Sequence, residues 1–168
     1  MDSIRYPIGK FEPAHNPSPE QRGRFIDAIA EFPQSLRLAV QNLTPEQLQT
    51  PYRPGGWTVR QVVHHLADND MNAYIRFKRA LTEDNSVAGT YREDLWAELG
   101  DYDLPVEGSL VLLGEVRSRF AALLRTLKPA DFERTFTSPT HGAMTLDAAV
   151  QRYDWHGRHH LAQIRSTL

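Results

Sequence analysis

Helix-start signals recur along this sequence and constrain its fold more than any other feature. Three segments place Ser or Thr three residues before Gln: SPEQ (18–21), TPEQ (44–47) and TVRQ (58–61). In this capping box, two side chains satisfy backbone amides that the start of a helix leaves without partners. The first two segments also place Pro at the first helical position, where no amide hydrogen is needed. Ser109 and Thr145 are candidate N-caps for two later helices.

Apolar residues recur at the helical period after these signals. Their stripes predict four long helices, at 18–43, 58–82, 109–127 and 145–166. Shorter helical turns are expected at 44–49 and 92–99. No alternating strand pattern of useful length is present, and FTSPTHGAMT (136–145) contains Pro and Gly, which predict a loop. Four amphipathic helices of this length predict an all-α fold built as a four-helix bundle.

Length and composition limit the classes of protein that this chain fits. With 168 residues, we expect one domain over 1–168, whose first 17 residues form an irregular arm rich in Pro and polar residues. The net charge of −2 gives no basic field for nucleic acid or an anionic membrane. There is no cysteine, so a metal would be held by His, Asp or Glu. No apolar run is long enough for a membrane span and no signal peptide is evident, so we expect a cytoplasmic protein.

Three of the seven histidines lie within five positions in DWHGRHHLAQI (154–164). The run is interrupted by Gly157 and continues an apolar pattern, which excludes a purification tag. His156 and His160 are four residues apart, so they lie one helical turn apart on a flank of the apolar stripe. His159 is predicted to point further out, toward solvent. Gly157 would allow a backbone or a ligand to approach closely.

The second long helix carries a matching histidine in QVVHHLADND (61–70). His65 lies at the edge of the apolar stripe, whereas His64 is predicted to point to nearly the opposite side. His65, His156 and His160 would together form a three-imidazole set, which is known for catalytic zinc. The alternative is that both segments hold surface or partly buried histidines without a ligand.

Other polar side chains on these helices have two interpretations each. Asp68 could act as a base or orient His65, or it could be an acid on the helix surface. Asn72 and Gln163 could hydrogen-bond a substrate, or they could fill a polar interior. Arg117 could bind an anionic group, or it could form an interhelical salt bridge.

Several segments resemble the YfiT branch of the DinB-like superfamily, a group of metal-dependent hydrolases. The similarity covers nearly the whole chain and is carried by YPIGKFEP (6–13), PYRPGGWTVRQVVHHLADNDMNAYIRFKRALTE (51–83), ALLRTL (122–127) and WHGRHHLAQI (155–164). The resemblance implies a four-helix bundle, a homodimer and one divalent metal, zinc or nickel. It also implies the metal ligands His65 in the VHHLAD motif, His156 after Trp, and His160 four residues later.

A metal held by three histidines suggests three possible functions. It can act as a Lewis acid and lower the pKa of a bound water or thiol. The first hypothesis is therefore a metal-dependent hydrolase of a small-molecule substrate. The alternatives are an S-transferase that uses a low-molecular-weight thiol, and a metal-binding bundle without catalysis. A zinc peptidase of the H-E-x-x-H kind is excluded, because Gly157 stands where that motif needs Glu.

Overall fold

The computed structural model describes residues 2–168 and is mostly helical, with eight α-helices and one two-stranded sheet in that range. The helices are α1 (Asp2–Arg5), α2 (Pro19–Val40), α3 (Pro45–Leu48), α4 (Val59–Thr82), α5 (Glu93–Trp96), α6 (Glu107–Thr126), α7 (Pro129–Phe132) and α8 (Leu146–Arg165). The strands are β1 (Thr135–Ser138) and β2 (Gly142–Thr145), and Gly100–Asp103 forms a 3₁₀ helix. The predicted four-helix bundle is confirmed, with helix ends within three residues of those expected. Within residues 2–168, no helix combines the length and the apolar character that crossing a membrane requires.

The predicted helix starts follow from side-chain caps. Ser18, Thr44 and Thr58 each accept a hydrogen bond from the amide three residues later, and the Gln at that position bonds back to the cap. Thr145 accepts from the amide of Ala148 at the start of α8. The beginnings of α2, α3, α4 and α8 are therefore encoded locally, by bonds spanning three residues.

Ser109 does not cap a helix, which corrects the prediction. α6 begins earlier, at Glu107, and the Ser109 side chain lies 2.6 Å from Nδ1 of His64 on α4. The backbone carbonyl of Leu104 lies 3.0 Å from Nε2 of the same ring. Ser109 therefore helps to fix α6 against α4 rather than to start α6.

The four long helices pack so that α2 and α4 each contact both α6 and α8. Arg22 pairs with Asp147 near the starts of α2 and α8, so these two helices run parallel. Arg37, near the end of α2, pairs with Glu107 at the start of α6, so this pair is antiparallel. The histidine–serine contact joins the starts of α4 and α6, which run parallel. The connection over 83–106 therefore returns along the bundle, and it contains α5 and the 3₁₀ helix.

The segment predicted as a loop over 136–145 instead forms an antiparallel hairpin. β1 and β2 pair from Thr135 opposite Thr145 to Ser138 opposite Gly142. Each strand has only four residues, and in β1 the alternation of Phe136 and Ser138, both buried, is too short to recognise in the sequence. The hairpin lies beside the end of α4 and also pairs with the connection, since the amide of Ala88 donates to β1.

The N-terminal arm is held on α8 by side chains of that helix. Its first residue lies outside the described range, residues 2–5 form α1, and the rest up to α2 has no regular secondary structure beyond turns. Gln151 accepts from the amide of Ala14 at 2.8 Å and donates to the carbonyl of the same residue at 3.2 Å. Gln163 donates to the carbonyl of Arg5 at 2.9 Å. The arm therefore covers one face of the bundle.

A buried ion pair lies where the four long helices meet. Nε of Arg117 donates to the Asp70 carboxylate at 2.5 Å, and both side chains are almost completely buried. The guanidinium of Arg117 also lies over the ring of Phe32, 4.2 Å from its centroid. Gly157 of α8 has no side chain here, and a Cβ would lie 3.0 Å from Nη2 of Arg117. Of the two interpretations of Arg117, the structure supports the interhelical salt bridge. The side chain is therefore not available to bind a ligand.

Replacing Asp70 with Ala should destabilise the protein strongly, because it leaves a buried guanidinium without a counter-charge. We expect a loss of about 3–5 kcal/mol in the free energy of unfolding in urea. The double variant Asp70→Leu/Arg117→Met, which removes both charges, should recover most of this loss. Glu83→Ala is the control, since it breaks an exposed pair with Arg79 and should hardly move the midpoint. If Asp70→Ala and Glu83→Ala lowered the free energy of unfolding equally, the stabilising role of the buried pair would be contradicted.

Candidate metal centre

Three histidines from two antiparallel helices meet at one point. His65 lies on α4, and His156 and His160 lie one turn apart on α8. One ring nitrogen from each lies within 4.8 Å of the others, and the Nε2 atoms of His65 and His156 are 3.3 Å apart. His65 and His160 are buried, and His156 is partly buried. The structure therefore brings together the three residues that the sequence predicts as ligands.

The ring of His160 is fixed by Gln163. Its Nδ1 lies 2.8 Å from Oε1 of Gln163, whose Nε2 donates to the carbonyl of Arg5. Because the amide nitrogen is already committed as a donor, Oε1 must accept, and Nδ1 of His160 carries the proton. Nε2 of His160 then keeps a free lone pair directed at the other two histidines. Gln163 thus orients a candidate ligand from the polar interior.

Which ring nitrogen of His156 carries the proton depends on the orientation of the neighbouring Asn69 amide. Nδ2 of Asn69 lies 3.4 Å from Nδ1 of His156, and in this orientation Nε2 of His156 carries the proton and faces Nε2 of His65. Rotating the amide by half a turn would let its oxygen accept from Nδ1–H instead, and both Nε2 atoms would then present lone pairs. The two orientations of the Asn69 amide occupy the same space. One leaves a proton between the Nε2 atoms of His65 and His156, and the other leaves two lone pairs that could bind a cation.

Electrostatics keep these imidazoles neutral, which metal binding requires. Burial lowers the pKa of His65 to about 4, with a smaller contribution from His159. Burial, followed by the neighbouring histidines, lowers the pKa values of His156 and His160 well below the ordinary value of 6.5. Nδ1 of His65 has no hydrogen-bond partner, and the ring packs against Trp57 at 4.6 Å between centroids. The donor set therefore fits a cation better than it fits protons.

The three histidines lie at one end of a cavity of about 600 Å³. Aromatic side chains from a loop, the α4–α6 connection and α8 line it, namely Trp57, Tyr91 and Trp155. Its other end, near the hairpin, is lined by basic groups, namely Arg76, His141 and Arg152. The cavity is large enough for a small molecule whose two ends meet different surroundings.

Asp68 and Asn72 do not reach this cavity. Tyr102 donates to the Asp68 carboxylate at 2.6 Å, and burial raises the pKa of that carboxyl group. The side chain of Asn72 donates to the backbone carbonyl of Asp68 on its own helix. This geometry therefore does not support Asp68 as a base or as a partner of His65. It also does not support Asn72 as a substrate contact.

The two histidines predicted to lie outside the site are both buried. His64 points away from the three candidate ligands, as expected, but it contacts α6 rather than solvent. The prediction that His159 points to solvent is wrong. Its ring stacks on Trp155 at 4.7 Å between centroids, and Tyr6 of the N-terminal arm lies 5.7 Å away. A helical projection of α8 cannot show that the N-terminal arm covers the face of the helix that carries His159, because the projection contains only residues of that helix.

Sequence reasoning missed the residues that complete the cavity. Arg152 lies four residues before His156, so the spacing that linked His156 to His160 would also have identified it. Arg76 lies on the same face of α4 as His65, eleven residues later. Trp57 and His141 come from loops, for which no helical spacing gives a signal.

A bundle whose facing helices direct three imidazoles into a cavity has the arrangement by which helical bundles can hold a metal ion in their core. The chain is a member of the DinB superfamily, whose family model matches residues 28–164. This confirms the resemblance seen in the sequence.

Two bacterial proteins are similar to this chain over nearly their whole length. Proteins of Bacillus mycoides (strain KBAB4) and Bacillus anthracis, each named "putative metal-dependent hydrolase", are 49% identical over 166 residues, which is 99% of this chain and 96% of each relative. The solved structure of YfiT from Bacillus subtilis is described as "a probable metal-dependent hydrolase with an unusual four-helix bundle topology". It is 47% identical, with a TM-score of 0.96 over 98% of this chain and 95% of that chain.

If His65, His156 and His160 are the ligands, removing one should remove the metal. His65→Ala and His160→Ala should each reduce the metal content per chain, measured by elemental analysis, from about one to near zero. His64→Ala and His159→Ala are the matched controls and should retain it, with folding checked by circular dichroism. Full metal content in both ligand variants would show that the assignment is wrong.

The metal-free protein should lose stability in mild acid. The pKa values of His65 and His159 are about 4 in the folded chain, against 6.5 ordinarily. The unfolded chain therefore binds more protons between these values, and its free energy falls relative to the folded state as pH drops from about 6.5 to 4. Thermal unfolding at several pH values tests this. A melting temperature that is constant across this window would contradict it.

Proposed function

We propose that this protein is a metal-dependent hydrolase of a small-molecule substrate, with His65, His156 and His160 holding one zinc or nickel ion. The observation that carries the proposal is the convergence of three neutral imidazoles at the end of a cavity of about 600 Å³. Imidazole suits both metals. The names of the bacterial relatives support the reaction class.

A divalent cation at this site would supply Lewis-acid chemistry, polarising a substrate oxygen and lowering the pKa of a water or thiol nucleophile. The chain's own residues position and shield the site. Gln163 fixes the ring of His160, and Trp57 packs against His65 and also stacks near His160. These contacts hold the ring nitrogens in place and exclude water from one side of the cluster.

A second candidate function, transfer of a low-molecular-weight thiol, is favoured by the positions of the carboxylates. Among the described residues that line the cavity, the carboxylates are Glu93 and Asp94. Asp94 is paired with Arg92, and the charge of Glu93 acts on Arg152 and His141 rather than on the three candidate ligands. A thiol loses its proton much more readily than water does, so a thiol nucleophile depends less on a nearby carboxylate base.

We further propose that the protein works as a homodimer in the cytoplasm, as its resemblance to the family and its lack of cysteine suggest. The chain mass is 19.2 kDa. Light scattering at micromolar concentration should give about twice this mass, and a value near that of one chain would count against the dimer.

A substrate panel run with and without a small thiol should separate the candidate functions. We expect metal-loaded protein to hydrolyse some esters or amides without thiol, and His160→Ala to abolish the activity. His64→Ala, whose ring lies outside the cavity, is the control and should retain it. Turnover of electrophiles only when thiol is present would favour the transferase. A metal-loaded protein inert in every assay would favour a binding bundle and contradict both enzymes.

A further inference from the structure

Two arginines continue the faces of α4 and α8 that carry the histidines. Arg152 lies one turn, about 6 Å, before His156 on α8. Arg76 lies on α4, and because the ring of Phe77 packs 5.6 Å from that of Tyr153, the two arginines lie at the same level of these antiparallel helices. Both line the cavity, beyond the three histidines.

Neither arginine has a carboxylate partner among the described residues. At least nine other arginines lie within 4.0 Å of a carboxylate, namely Arg22, Arg37, Arg60, Arg79, Arg92, Arg117, Arg125, Arg134 and Arg158. By contrast, Arg76 donates to the carbonyl of Gly89. Arg152 donates to Nε2 of His141 at 3.0 Å and lies over the ring of Phe11. Their charge is therefore not neutralised by direct ion pairing.

The surroundings of Arg152 make its positive charge costly, and the carboxylate of Glu93 offsets this cost only in part. Burial lowers the pKa of Arg152, and neighbouring Arg76 lowers it further, whereas Tyr153 and Glu93 act in the opposite direction. A guanidinium has no acceptor and stays charged, so the proton cannot be released to relieve the cost. His141 accepts from Arg152 and is therefore neutral, which adds no charge but leaves its second ring nitrogen as a donor.

We propose that Arg76, Arg152 and His141 form a subsite that binds an oxyanion group of the substrate, such as a carboxylate or a sulfate or phosphate ester. Guanidinium groups suit this role because their paired N–H donors match the oxygens of such groups. The inference rests on the proposed function for the reacting end of the substrate, which would lie at the three histidines. The anionic group would lie about one turn of α8 from His156 and about three turns of α4 from His65, so the substrate is an extended small acid rather than a neutral molecule.

Titration of zinc-loaded protein with sulfate and with acetate, followed by calorimetry, tests the subsite. Wild-type protein should bind at least one of the two at millimolar concentration, and the preferred one distinguishes a tetrahedral anion from a carboxylate. Arg152→Gln should weaken binding at least about tenfold, since a charge-assisted hydrogen bond is lost, and Arg152→Lys should restore part of it. Arg165→Gln, an exposed arginine on the same helix, is the control and should bind like wild type.

A second variant separates the subsite from the metal. His160→Ala, which should lack the metal, is expected to retain anion binding. Loss of binding in His160→Ala with normal binding in Arg152→Gln would place the anion on the cation and overturn the proposal, as would no binding to wild type. Anion binding that depends on Arg152 in a protein without turnover would support the subsite while the proposed function fails.

Discussion

The buried ion pair between Asp70 and Arg117 is the contact on which the arrangement of the long helices depends. Asp70 is on α4, Arg117 is on α6, α2 supplies an aromatic ring and a carbonyl oxygen to the guanidinium, and α8 approaches through Gly157. Two buried charges tolerate little displacement, because separating them exposes each to an apolar interior. Asp70 lies five residues after His65, and Gly157 directly follows His156. The pair therefore sets the register in which the two metal-site helices meet.

Burial has opposite consequences for the charged and the neutral groups of this protein. Asp70 and Arg117 form a buried ion pair, whereas burial, with a smaller contribution from the neighbouring histidines, lowers the pKa values of His156 and His160 and keeps these rings neutral. The same bundle interior thus maintains one site as an ion pair and another as a set of neutral imidazoles. The second site is suited to a cation, since Gln163 leaves the Nε2 lone pair of His160 free and a half-turn of the Asn69 amide would free that of His156.

Local signals predicted most of the bundle, and the errors share one cause. Capping boxes at Thr58 and the other helix starts act over three residues, and helical spacing was sufficient to group His156 with His160. Ser109, by contrast, bonds across to another helix, and His159 is buried by an arm that lies far from it in the sequence. The hairpin forms by pairing of two four-residue strands, which are too short to be predicted from the alternation of residues in the sequence. At Ser109, at His159 and in the hairpin, the conformation depends on tertiary contacts rather than on intrinsic propensity.

Gln163 joins the N-terminal arm to the candidate metal site, since one amide group bonds to both the carbonyl of Arg5 and the ring of His160. A displaced arm would free that amide to rotate, and the ring would lose the constraint on its tautomer. Ordering of the arm and affinity for a cation at this site would therefore be thermodynamically linked. By reciprocity, if docking of the arm raises the affinity for a cation by some factor, binding of the cation favours docking of the arm by the same factor. Through Gln163, the arm around Arg5 would therefore affect how firmly the three histidines hold a cation.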